Sequence, residues 1–228
     1  MSSKKETALR QAIIDGCLRM NAEGMNQGTS GNISARHNGR MLITPSGTPY
    51  EKLRPNMITT MSLDEDDDSW EGPLKPSTEW HFHRDILRKR EEIGAVVHLH
   101  STFATVLAMA RKPIPSCHYM VACFGGNDVR CAGYARYGTP ELSELAVEAL
   151  EGRTACLLAN HGMIAIGATL DKALWTAVEL ETLAKQYYHT LAIGGPVMLN
   201  DEHIEDTLRG IASYGLQDDA GKEKKKKK

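Results

Sequence analysis

The stretch AVVHLH, residues 95–100, combines strand-forming Val96, Val97 and Leu99 with two histidines spaced i, i+2. Side chains alternate along a strand, so His98 and His100 point the same way. Two aligned imidazoles suit a divalent metal, and zinc commonly takes neutral imidazole nitrogen as a ligand. A single histidine is ordinarily a surface or satisfied core residue, and HxH alone is a weak pattern. A catalytic zinc wants three protein ligands and one exchangeable position. The best third ligand is His161 in LLANHGMIAIG, which follows an apolar strand and precedes Gly162. His81 and His83 share the i, i+2 spacing, but EWHFHRDILRKR reads as helix, where such residues do not face each other. They are expected to pack or to lie on the helix surface.

A second group of residues suits an anion. In KPSTEW, Ser77 or Thr78 is a natural N-cap, and a helix start with hydroxyls and N–H groups accommodates phosphate. Glu79 lies in the same first turn, beside that anion site. Plain capping is the simpler reading of these three residues. The loops GTSGN (28–32) and TPSG (44–47) also offer N–H and hydroxyl donors, though each can equally be only a turn.

The elements that must position these groups follow from periodicity. Helices are expected near 5–23, 79–90, 102–110, 140–150, 170–192 and 202–213. ISAR and MLIT flank HNGR, where Asn38-Gly39 signals a hairpin. Further strands are expected at Met57–Ser62, Ala95–His100, His118–Cys123, Val129–Ala132, Ala155–Asn160 and Met163–Ile166. The interspersed order favours one α/β domain over residues 1–216, with a mixed, largely antiparallel central sheet covered by helices on both faces. Within the helix at 170–192, Glu181 falls in the apolar stripe of Leu174, Val178, Ala184 and Tyr188. It either snorkels out or supports a site from behind.

Bulk properties narrow the class. At 228 residues the chain is long enough for one full-sized core. No apolar run is long enough to span a bilayer, and MSSKKETALR lacks the apolar segment of a signal peptide. Residues 221–228 hold six lysines and one glutamate; the rest of the chain is mildly acidic. A nucleic-acid partner calls for a basic body, so neither nucleic acid nor membrane is expected as a partner. The segment 217–228 reads as a disordered lysine-rich tail. Five cysteines without a CxxC pair suggest reduced thiols, inert or packed, in a cytoplasmic protein.

The segments NQGTSGNIS, MLITPSGTPYEKL, PSTEWHFH, AVVHLH, HYM, YGTPELSE, NHGMIA, DKALW and SYGL occur in that order between about Thr7 and Leu216. In this series the chain resembles the class II aldolase family built around L-fuculose-1-phosphate aldolase. The resemblance implies a zinc-dependent lyase that reversibly cleaves a ketose 1-phosphate to dihydroxyacetone phosphate and a small aldehyde. His98, His100 and His161 match the family's metal ligands, and Glu79 its acid/base group, which also ligates the metal at rest. Asn32, Ser46, Gly47, Ser77 and Thr78 match its phosphate-binding set. Tyr119 matches a tyrosine that enters a neighbouring subunit's site, and Tyr214 one on a mobile C-terminal segment; the family forms cyclic homotetramers. Two departures are visible: Thr78 replaces a serine, and Tyr137 replaces a phenylalanine near the aldehyde end. Three alternatives stay open. They are a 5-methylthioribulose- or 5-deoxyribulose-1-phosphate lyase, a sugar-phosphate 4-epimerase (which has aspartate where Glu79 stands), and a non-catalytic module like the adducin head.

Overall fold

The structure is a computed structural model and describes residues 3–64 and 68–213. Its elements in chain order are α1 (Lys4–Ala22), β1 (Asn32–His37), β2 (Arg40–Ile43), β3 (Thr59–Ser62), α2 (Trp80–Lys89), β4 (Ala95–Leu99), α3 (Thr102–Met109), β5 (Cys131–Ala132), α4 (Pro140–Ala149), β6 (Ala155–Leu158), β7 (Gly162–Gly167), α5 (Leu170–Leu191) and α6 (Asp201–Ser213). The strands form one sheet in the order β3-β2-β1-β4-β7-β6-β5; β5–β6 is the parallel pair and the rest are antiparallel. The β1–β2 hairpin turns on Asn38 and Gly39, both at positive φ, with His37 opposite Arg40. That is the backbone a two-residue Asn-Gly turn provides.

Strand alternation divides the core in two. Ile33, Leu42, Val97, Leu99, Leu157 and Met163 pack with α1, α3, α5 and α6. Met41, Ile43, Val96, Cys156, Leu158, Ile164 and Ile166 pack with α2 and α4 on the other face. The chain is therefore a single α/β domain with helices on both sides. β4 lies near the middle of the sheet, and Val96, Val97 and Leu99 are fully buried. Each such side chain contributes about 1.5–3 kcal/mol by burial, so the strand that carries the histidines is firmly held. Among the described residues, no helix is long and apolar enough to cross a membrane.

Three expectations need correction. His118–Cys123 is not a strand: Tyr119–Phe124 is a 3-10 helix that buries Val121, Ala122 and Phe124, a pattern incompatible with period two. Met57–Ser62 is strand only from Thr59, because Pro55–Met57 forms a 3-10 turn. Val129 makes only an isolated bridge to Ile114, so β5 is reduced to Cys131–Ala132. The tail 217–228 lies outside the described residues.

Candidate active site

His98 is wholly buried on the α2 face of β4, paired with Asn32 on β1 and Ile164 on β7. His100 follows the end of the same strand. His161 enters from the β6–β7 connection, where Asn160 takes a left-handed φ of 54° and turns the chain. A Cβ at Gly162 would lie 2.4 Å from Leu99 O and 2.8 Å from His100 Cδ2. Only glycine lets the two connections approach this closely. The three ring centroids stand 4.8–4.9 Å apart with interplanar angles of 64–81°. The rings thus form a nearly equilateral triangle.

This triangle fits a divalent metal. His98 Nδ1 lies 2.9 Å from Met163 O. A carbonyl only accepts, so Nδ1 carries the hydrogen and Nε2 keeps its lone pair. Nε2 of His98 and Nε2 of His100 lie 3.1 Å apart, close to the ~3.3 Å that two nitrogens ~2.05 Å from a tetrahedral ion would take. Burial lowers the pKa of His98 to about 4 and lowers that of His100, which keeps both imidazoles neutral and able to ligate.

Glu79 closes the triangle. Its Oε2 is 3.3 Å from His98 Nε2 and its Oε1 is 3.1 Å from His161 Nε2. Oε1 is nevertheless buried without a hydrogen-bond partner among the described residues. A buried carboxylate oxygen without a hydrogen-bond donor, set among imidazole nitrogens, fits a cation-binding role. Burial works to raise the Glu79 carboxyl, but His98, His161 and the Asn32 amide outweigh it and hold it below the usual carboxylate range. Glu79, not Ser77 or Thr78, is the N-cap residue of α2, and its side chain makes no cap bond because it turns to the histidines. Ser77 Oγ instead accepts the Glu79 N–H at 3.3 Å.

Above this cluster is a cavity of about 350 Å³. Thr29–Asn32, Pro45–Gly47 and Ser77–Thr78 line one side; Tyr134, Ala135 and Tyr137 line another. The Pro45 and Pro76 loops are bridged, with Ser46 N–H donating to Lys75 O and Ser77 N–H to Thr44 O. Those two amides are committed to holding the loops together, while Ser46, Gly47 and Thr78 are exposed.

Comparison with known proteins decides the family. The family model for the Class II Aldolase and Adducin N-terminal domain matches residues 11–188. The chain belongs to the class II aldolase family. A 5-methylthioribulose-1-phosphate/5-deoxyribulose-1-phosphate aldolase of Rhodospirillum rubrum is 50% identical over 208 residues, covering 91% of this chain and 93% of its own. An L-fuculose phosphate aldolase of Escherichia coli O6:H1 is 48% identical over 210 residues, covering 92% and 96%. A solved L-fuculose 1-phosphate aldolase superposes with a TM-score of 0.87 at 38% identity, covering 93% of this chain and 98% of that one. The protein is accordingly a class II aldolase, and the fold expected from the sequence is the fold observed.

The aldolase brings His98, His100, His161, Glu79, Asn32, Ser46, Gly47, Ser77 and Thr78 to one pocket or its floor. Tyr119 is not among them. It sits on the 3-10 helix, 54% exposed. Tyr214 lies outside the described residues.

Two residues take up one of the two roles that the sequence left open for each. Glu181 neither snorkels nor points to solvent: it accepts from Ser101 Oγ (2.7 Å), Phe103 N (2.8 Å) and Ala104 N (2.9 Å), and so caps α3 immediately after His100. His83 is fully buried and touches Asn32 and Ser34. Burial lowers its pKa to about 3, so it is a neutral hydrogen-bonding group and not a surface one. A buried polar residue inside an otherwise apolar helix stripe was the available signal. The five cysteines are free; burial raises the thiol pKa of Cys17 and Cys156 in particular.

Proposed function

We propose that this class II aldolase reversibly cleaves a ketose 1-phosphate to dihydroxyacetone phosphate and a small aldehyde, with zinc held by His98, His100, His161 and, at rest, Glu79. The observation that carries this reading is the imidazole triangle with the orphaned Glu79 oxygen at its edge. A bound zinc ion supplies an electrophile for the ketose carbonyl and adjacent hydroxyl oxygens, stabilising the charge released on carbon–carbon scission. Glu79 exchanges a proton with the reacting carbon of the three-carbon fragment. Ser46, Gly47, Ser77 and Thr78 bind the phosphate, joined by the Asn32 amide hydrogen not used on Glu79. This anchoring holds the fragment with its carbon at Glu79.

Tyr119 exchanges a proton with the C4 oxygen in the site of a neighbouring copy, and Tyr214 covers the site from the C-terminal segment. The exposure of Tyr119 on the surface of its own chain supports a homotetramer with sites between subunits. Free thiols at all five cysteines support a cytoplasmic setting.

The aldehyde end is bounded by Tyr134 and Tyr137, both more than half exposed. An L-fuculose-1-phosphate-like ketose is the first reading. A 5-methylthioribulose- or 5-deoxyribulose-1-phosphate substrate is the second, supported by the Rhodospirillum rubrum relative at 50% identity. Condensation of dihydroxyacetone phosphate with lactaldehyde, acetaldehyde, methylthioacetaldehyde and glycolaldehyde, compared as kcat/KM, decides between them. Lactaldehyde should lead under the first reading. A lead for methylthioacetaldehyde or acetaldehyde selects the second, and condensation with none of the four by zinc-loaded protein refutes both.

A further inference from the structure

Glu79, Asn32, His83 and Ser34 form a chain of hydrogen bonds from the pocket floor into the space between α2 and the sheet. Asn32 Nδ2 donates to Glu79 Oε2 at 2.9 Å. Asn32 Oδ1 lies 2.5 Å from His83 Nε2, and His83 Nδ1 lies 2.7 Å from Ser34 Oγ. All four residues are buried, His83 and Ser34 completely.

The polarity of this chain is fixed at one end. An ionised carboxylate only accepts, so the Asn32 amide must turn its NH2 to Glu79. Its carbonyl then faces His83, which must carry its hydrogen on Nε2. Nδ1 is left as an acceptor, and the Ser34 hydroxyl supplies the hydrogen. With the amide flipped, Asn32 Oδ1 and Glu79 Oε2 would face each other as two acceptors, and the carboxylate would be displaced.

We propose that His83 is a positioning residue for the proton-exchanging carboxylate: by donating to Asn32 Oδ1 it holds the amide, whose sense the carboxylate sets, against Glu79 Oε2 and thereby leaves Oε1 as the oxygen that exchanges the proton. The inference rests on the reading of Glu79 given above. It agrees with the state of the two oxygens, since Oε2 has its donor and Oε1, 3.1 Å from His161 Nε2, has no hydrogen-bond partner among the described residues. A residue that merely filled space would need only the volume of the ring. This role needs the Nε2–H.

The test uses zinc-loaded enzyme and reads deuterium exchange from solvent into dihydroxyacetone phosphate alone, which reports the proton step without bond scission. His83→Leu keeps bulk without a donor and should lower exchange and kcat by ~10²-fold at unchanged metal content. His83→Gln puts an amide NH2 where Nε2–H stood and should recover most of that loss. Ser34→Ala is a small change that covers the case of a Leu variant that does not fold. It leaves Nδ1 without the hydroxyl that anchors the ring, so it should slow exchange in the wild-type background and add nothing to His83→Gln, which has no Nδ1 to anchor. Near-normal exchange in folded, metal-loaded His83→Leu overturns the inference. So does a Gln variant no better than the Leu variant, or an equal effect of Ser34→Ala in both backgrounds. Glu79→Gln, run alongside, separates the two readings. Normal exchange in that variant sinks the Glu79 assignment and this inference together, whereas lost exchange there with normal exchange in His83→Leu sinks this inference alone.

Discussion

His98, His100 and His161 stand on strand ends or a tight turn of the sheet, whereas Ser46, Gly47 and Thr78 stand on exposed loops beyond it. On the imidazole side, His98 has its tautomer set by Met163 O, and its neighbours are held by Glu181 and by the Gly162 close approach. On the loop side, the backbone amides of Ser46 and Ser77 are spent on joining the loops, and Ser46 and Thr78 are exposed residues at the pocket. Under the proposed function, the difference follows from what each side would bind. A small cation needs ligand atoms fixed to fractions of an ångström, whereas a phosphate gripped by several weak donors tolerates adjustment.

Removing a ligand should break the imidazole side outright. His161→Ala is expected to lose the metal, read by elemental analysis, together with ~10³-fold or more of turnover. Glu79→Gln should keep the metal and still lose ~10²–10⁴-fold in kcat. Full zinc occupancy in the alanine variant would mean that the third ligand lies elsewhere.

Acid should discriminate the two sides next. His83 and His98 have pKa values of about 3 and about 4 in the folded chain, against an ordinary 6.5, because burial excludes the charged imidazole. As pH falls below 6.5, the unfolded chain takes up protons that the folded chain refuses. Stability of the metal-stripped protein therefore declines from there down towards pH 4, by on the order of 2 kcal/mol per imidazole at pH 5. The depressed carboxyl of Glu79 acts in the same direction, but only below its ordinary 4.5. Denaturant midpoints measured from pH 7 to pH 5 should show this decline; a flat profile would contradict the buried neutral imidazoles.

The loop side should yield the smallest changes. Ser46→Ala and Thr78→Ala are each expected to raise KM for the phosphate substrate ~3–10-fold, the equivalent of about one hydrogen bond. They should leave metal content and the acid profile unchanged. A large drop in kcat from either would show that the loops take part in the chemistry beyond anchoring.

The same division governs what could be read from the sequence. The imidazole triangle was legible because residue type, strand periodicity and a glycine beside His161 all point one way. The β1–β2 hairpin was legible from Asn38-Gly39 for the same reason. His118–Cys123 was misread as strand because a short apolar run has no distinguishing period until its burial is known. Which groups Glu181 and His83 would meet was illegible. Their partners lie 77–80 and 49–51 residues away, and helix periodicity says which face they occupy but not which groups the fold sets opposite them.

One short helix has a mechanical consequence. α3 begins just after His100 with its first amides clasped by Glu181, and at its other end Ala108 O and Met109 O receive the backbone and side-chain N–H groups of Asn160, next to His161. Two of the three rings are thus mounted on opposite tips of a single rigid rod. A tilt of the rod would carry both rings together and preserve the span between them.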